Sequence, residues 1–279
     1  MVSLDPKSPD DPTLPSSPEG IPPTSDVSTP GVDASVPGRR LWSTVLLTAI
    51  VAGAIAWGIG ETRLVRVDAE ETDVTLMGRK LRSATAQTVQ AAQTMTAIKV
   101  FSVFGALLGA AGGISGGLAR FAPRSGLSAA VIGMIVGGGS GGLAAFVMVP
   151  IHSRLVDEGG SEFLTSFVAH AGIWTPVGAA AGLALGLGLR RAGGRGLGLG
   201  LLSLVGGALG ATFAAILYEL IGALAFPLGG TSQPISTTPG SRCLALILLA
   251  VIVLTTALAV ATNTNQRRGG GNVIGPPRA

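Results

Sequence analysis

The sequence predicts an all-α fold: a polytopic membrane helix bundle of six transmembrane helices, with a parallel duplication of one helical hairpin and a disordered N-terminal tail. Three observations carry this. Only 12% of the 279 residues are Asp, Glu, Lys or Arg, against roughly 25% in soluble proteins. Mean hydropathy is +0.57 and glycine supplies 43 residues. The charges are clustered, which leaves six nearly charge-free stretches long enough for the ~20 helical residues that cross a ~30 Å hydrocarbon core. This composition excludes an ordinary soluble enzyme. A single cysteine excludes a disulfide-stapled secreted domain. The pI near 10.0 would suit a nucleic-acid binder, but the arginines flank apolar runs, where membrane topology needs them. No nucleic-acid partner is expected; the bilayer is.

Residues 1–38 hold nine of the 17 prolines and six acids against one base, Lys7. Such a segment cannot bury enough apolar surface to offset ordering entropy, so it reads as a disordered, acidic cytoplasmic spacer. It lacks the basic start and apolar run of a signal peptide. Arg39 and Arg40 precede the first span, 41–60, with Trp42 and Trp57 near its ends as interfacial aromatics. An outer segment, 61–99, follows. Within it Leu81, Ala84, Thr88, Ala91, Met95 and Ile98 recur at three and four residues, which predicts a helix over 77–97 leading into the second span, 100–119. The third span covers 126–149, the fourth 164–189, the fifth 197–221 and the sixth 243–261, within a membrane domain of 39–262. Pro150 is read as a helix end, Pro176 as a kink and Pro227 as a helix end. A short basic tail, 263–279, closes the chain.

Orientation follows from the short loops. Arg39, Arg40, Arg120, Arg124, Arg190, Arg191, Arg195, Arg267 and Arg268 fall on one side, while the other short loops offer Arg154 and Arg242 beside Asp157, Glu158 and Glu162. The positive-inside rule then makes both termini cytoplasmic. The shortage of lysine and the excess of Ala and Gly suggest a GC-rich, bacterial genome, and hence the cytoplasmic membrane.

An internal repeat lies at an offset of 70 residues. Gly112, Gly116, Arg120, Gly126 and Gly137 answer to Gly182, Gly186, Arg190, Gly196 and Gly207. Both hairpins run in the same direction, so the repeat is parallel.

Glycine spacing is the strongest motif. Gly105, Gly109, Gly113 and Gly117 recur every four residues on the second span, Gly133, Gly137 and Gly141 on the third, and Gly178, Gly182 and Gly186 on the fourth; Gly206 and Gly210 add a pair on the fifth. Such spacing makes a groove that lets neighbouring backbones approach closely. The four middle spans should therefore pack tightly, with the Leu-, Ile- and Val-rich first and sixth spans facing lipid.

Two ionisable groups lie inside spans. At 1.5 Å per residue, His170 falls about 10 Å and Glu219 about 13 Å outward of the midplane, so the pair can meet in the outer leaflet with Tyr218 alongside. A lone carboxylate there costs about 2–3 kcal/mol, which a histidine partner reduces. Gly138-Gly139-Ser140-Gly141 fits the Gly-x-Ser-Gly pattern of rhomboid-type intramembrane proteases. However, every asparagine lies in the C-terminal tail (Asn263, Asn265, Asn272), so the oxyanion donor such chemistry requires is missing and no catalytic residue is assigned. No metal cluster or cofactor motif is read, and Cys243 is taken as a small apolar residue. Two functions remain, and the scarcity of polar residues along the spans favours the first. One is a non-enzymatic scaffold or accessory subunit that packs with itself or a membrane-protein partner through its glycine faces. The other is a small proton-coupled permease with an outer-leaflet site at His170 and Glu219, its substrate unspecified.

Overall fold

The structure, a computed structural model, describes residues 38–62, 65–76, 79–190, 196–226 and 230–269. The expected N-terminal tail, Pro227, and the loop arginines Arg191 and Arg195 lie outside these. Six helices form the bundle: α1 (Gly38–Gly60), α2 (Ala86–Ala119), α3 (Pro123–Asp157), α4 (Glu162–Gly188), α5 (Gly196–Ala225) and α6 (Pro239–Gly269). All six are long and apolar enough to cross a membrane, so the chain is a multi-pass integral membrane protein. Between α1 and α2 stands an antiparallel hairpin of β1 (Glu71–Leu76) and β2 (Arg79–Ala84), paired from Glu71 opposite Ala84 to Leu76 opposite Arg79. The end of the bundle nearest this hairpin is called the hairpin end; the other carries Arg120, Arg124 and Arg190 and is called the arginine end.

The hairpin corrects the expected helix over 77–97. β-branched Thr72, Val74 and Thr75 favour an extended chain, and the helix starts only at Ala86, where Thr85 caps it. The Thr85 hydroxyl accepts from the Thr88 N–H at 3.3 Å, and the Thr88 hydroxyl accepts from the Thr85 N–H at 3.0 Å, a reciprocal capping box. The predicted seam is also rotated. Met95 is 55% exposed, and the inward face is Ala92 and Ala97. Beyond this start α2 does continue without a break into the second span.

Pro150 does not end a helix. It lies inside α3, which continues to Asp157. Proline removes one ladder hydrogen bond, a loss that membrane helices tolerate where neighbours hold the segment, as at Val149, which is buried. Pro176 likewise lies inside α4. The α2–α3 turn is tight: the N–H groups of Arg120 and Ala122 both donate to the Gly117 carbonyl, with Phe121 between them at φ 54°.

The glycines fix the helix order. An ideal Cβ on Gly105 would strike the carbonyl of Gly137; on Gly109, that of Gly133; on Gly113, the backbone of Ala129 and Ala130; on Gly117, the Cα of Gly126. This closes α2 on α3. Gly141 meets the Phe101 carbonyl on the same interface. Gly178, Gly182 and Gly186 meet Gly207, Ser203 and Gly200, closing α4 on α5, while Gly206 and Gly210 meet α6 at Ala257 and Thr256. The sequence reading missed Gly112 and Gly116, whose Cβ would lie 2.6 Å from the carbonyls of Ala181 and Leu185 on α4. α2 is thus smooth on two faces and packs closely on both α3 and α4, which also meet each other, as at Gly133 and Ala184.

These contacts refine the repeat. Ala130, Gly133 and Gly137 correspond to Gly200, Ser203 and Gly207 at the offset of 70, but their partners Gly113, Gly109 and Gly105 correspond to Gly186, Gly182 and Gly178, which are 73 residues on. The hairpins repeat as packed units with a three-residue shift at the turn.

α1 lies at the periphery as expected: Val45, Ala49, Ala52 and Ala56 are buried, while Leu47 and Ile55 are exposed. α6 does not. Leu249, Ala250, Val253, Leu254, Ala257 and Leu258 are fully buried, because its small residues admit α1 and α5 closely while its leucines fill the space between. The exposed apolar face instead belongs largely to α3 and α5, at residues such as Leu127, Ile135, Leu209 and Phe213.

Candidate functional site

α4 and α5 run antiparallel, and near the hairpin end they bring His170 and Glu219 into contact. The His170 Nδ1 lies 2.5 Å from the Glu219 Oε1, with the two side chains 2% and 6% exposed. Ser166, one turn before His170 on the same face, donates its hydroxyl to the same carboxylate oxygen and lies 3.4 Å from the His170 Nδ1. Both hydrogen-bonding groups converge on one oxygen of one acid. In a nucleophile–base–acid relay the hydroxyl and the acid would use opposite ring nitrogens. Ser166 therefore acts as a ligand of Glu219.

Aromatic rings enclose the pair. The His170 ring lies 5.1 Å from Trp174 and 5.2 Å from Tyr218, the second edge-on, and Trp174 lies 5.3 Å from Tyr218. All three residues are essentially fully buried. The Trp174 Nε1 is buried with no hydrogen-bond partner among the described residues. The Tyr218 hydroxyl is hydrogen-bonded to Ser236 and Ser241, and Ser241 also pairs with the Thr238 hydroxyl at 2.7 Å. A segment preceding α6 is thus tied down over the buried acid.

Arg242 clamps that segment. Its guanidinium donates to the carbonyls of Ser236 at 2.8 Å and Thr237 at 3.1 Å. It also forms a two-pronged ion pair with Glu61, at 2.7 and 3.0 Å. Arg66 donates to Glu61 at 2.6 Å. The Trp57 indole donates to the Pro239 carbonyl at 3.1 Å, which fixes the end of α1 to the start of α6.

Above the clamp lies a cavity of about 570 Å³, between the outer segment at Arg66–Ala69, the first turns of α2, the last turns of α3 and the segment at 233–237. His152 lies in its wall, near the backbone of Thr165. A much smaller void, about 30 Å³, touches His170 and Tyr218 on one side and Ile235, Ser236 and Arg242 on the other. Ile235, Ser236 and Arg242 line both spaces, so one layer of chain separates the cavity from the buried pair.

The structure therefore brings together His170, Glu219 and Tyr218, all three predicted from sequence. It adds Ser166, Trp174, His152, Glu61 and Arg242. Ser166 and Trp174 were within reach of the sequence, each four residues from His170 on a helix. Ser140 is remote from this chemistry; its hydroxyl donates to the carbonyls of Gly137 at 3.1 Å and Pro176 at 3.4 Å. Among the described residues no group of three or more His, Cys, Asp or Glu could hold a metal ion. Compared with known proteins, the chain matches no family model, no curated sequence and no solved structure.

Proposed function

We propose that this chain is a small, non-enzymatic, proton-coupled permease, with His170 and Glu219 as its proton site and Ser166 and Tyr218 as the groups that position it. A single observation carries the reading: a histidine and a carboxylate in direct contact, almost fully buried inside a membrane bundle, one layer of chain below a polar cavity. Ionisable groups inside membranes are costly and serve function by default. Arginine placement supports cytoplasmic termini, so the cavity faces outward, and a bacterial cytoplasmic membrane fits the composition. The runner-up, a scaffold or accessory subunit, is favoured by the dry glycine interfaces. It loses ground because those grooves are filled by the chain's own helices rather than offered to partners.

The test is labelling of Glu219 by a hydrophobic carbodiimide in native membranes, across pH, with and without His170→Ala. Labelling that depends on pH and changes when His170 is removed supports the proton site. Slow labelling, indifferent to His170→Ala, refutes it and leaves the scaffold.

A further inference from the structure

The wall of the outer cavity contains an unbalanced ion cluster. Two guanidiniums, Arg66 and Arg242, share one carboxylate, Glu61. Arg242 spends its donors on both Glu61 oxygens and on the Ser236 and Thr237 carbonyls. Arg66 makes a single hydrogen bond among the described residues, and its side chain is 47% exposed, in the cavity wall. A guanidinium carries five donors in a fork that matches a carboxylate.

Around Arg66 the lining is polar. The Thr96 hydroxyl accepts from the Val67 N–H at 3.0 Å, which holds the outer segment against α2. Gln93, Gln233 and His152 complete this part of the wall, and the His152 ring is hydrogen-bonded to the Thr165 backbone. Thr96 and His152 lie some turns inside α2 and α3, whereas Asp157 lies on the last turn of α3; Asp68 lines the cavity from the segment that Thr96 holds. Its lining thus carries two guanidiniums, Arg66 and Arg242, and two carboxylates, Asp68 and Asp157. A volume of about 570 Å³ falls in the range of small-molecule sites.

We infer that this cavity binds a small carboxylate-bearing solute, its carboxylate paired with Arg66 as the second anion of the Arg66–Glu61–Arg242 cluster. This deepens the permease reading by naming the class of its solute, but it stands on residues separate from the proton site. Asp68 and Asp157 suit a solute that also carries an ammonium group.

The experiment is thermal unfolding of the full chain in detergent, titrated with propionate, alanine and ethylamine at constant ionic strength. Propionate and alanine should raise the midpoint saturably, and ethylamine should not. A preference for alanine supports the site and places the ammonium at Asp68 and Asp157. Arg66→Gln should weaken carboxylate binding about tenfold, the scale of one charge-assisted hydrogen-bond pair. Gln93→Ala, which disturbs no ion pair, should weaken it severalfold. Arg82→Gln, on the exposed hairpin, should leave it unchanged.

Glu61→Gln is the discriminating variant. It removes the internal carboxylate that competes for both arginines, so binding should tighten severalfold even if the unliganded midpoint falls. A merely structural cluster predicts weaker binding instead. The inference is overturned if no carboxylate acts saturably, if ethylamine acts equally, or if Glu61→Gln weakens binding as Arg66→Gln does. Because the assay does not involve Glu219, its failure leaves the carbodiimide result standing, and the reverse holds too.

Discussion

Replacing Gly116 with alanine separates tight backbone packing from ordinary helix propensity. In a helix interior alanine is favoured over glycine by about 0.5–1 kcal/mol, since it restricts the unfolded chain. Gly139 supplies the baseline: it sits mid-helix on α3, and an added Cβ there meets nothing within 4 Å. At Gly116 the same methyl would lie 2.6 Å from the Leu185 carbonyl oxygen and 3.0 Å from both the Cα and the carbonyl carbon of Gly188. Ordinary contact begins at 3.4 Å, and every atom struck is backbone, so no rotamer change relieves the clash. α2 and α4 must separate by several tenths of an ångström, and dispersion is forfeited along the whole interface. Overpacking of this kind costs about 1–3 kcal/mol. Net of propensity, Gly116→Ala should destabilise by about 1–2 kcal/mol, while Gly139→Ala should stabilise by about 0.5 kcal/mol or more. Reversible unfolding in mixed detergent and dodecyl sulfate micelles measures both. Equal effects, or a stabilising Gly116→Ala, would refute the claim that close backbone approach holds α2 against α4.

Three further outcomes follow from local geometry. Glu219→Ala should lower stability by about 3 kcal/mol and Ser166→Ala by about 1 kcal/mol, because the first strands a buried histidine and the second removes one hydrogen bond. A double-mutant cycle with His170→Ala measures the coupling, and additive losses would contradict the contact. Phe121 is held at φ 54° and is 80% exposed, so Phe121→Gly should stabilise by about 1 kcal/mol in the same unfolding assay. Thr85→Ala should cost about 1 kcal/mol and speed amide exchange over the first turn of α2, with the spans unaffected.

Apolar length alone made the six spans legible, because a bilayer imposes one length scale on every crossing element. Four-residue glycine spacing marked helix faces that pack closely, but not their partners: Gly206 and Gly210 meet α6, and the Gly112 and Gly116 face of α2 went unread. Other features depended on tertiary context. β1 and β2 are short and polar, and Leu81 and Ala84 fell by coincidence on a helical spacing. Pro150 resembled a stop signal, but packing of the segment around it carries α3 through. α6 looked lipid-facing because leucine and valine suit lipid and protein interiors equally; its alanines were the better guide. His170 and Glu219 could be paired by depth, whereas Glu61 and Arg242 are 181 residues apart, and Arg242 was read only as a loop charge.

Helix lengths explain why the chemistry gathers at one end. α2 and α3 have 34 and 35 residues, about 50 Å each at 1.5 Å per residue, against a hydrocarbon core of ~30 Å. The tight turn at Phe121, with Arg120 and Arg124 beside it, sets the arginine end at the membrane boundary. Helices anchored there and standing upright would project about 20 Å at the hairpin end, where the two helices form walls of the cavity. On that placement the polar lining of Gln93, Thr96 and His152 would need no burial in lipid. At this end Glu61 and Arg242 join the end of α1 to the start of α6. Residues 234–236 line both the cavity and the small void that touches His170 and Tyr218. Short polar contacts, each replaceable by water, hold that segment in place. The glycine interfaces deeper in the bundle have no such substitute, so opening should be confined to the hairpin end.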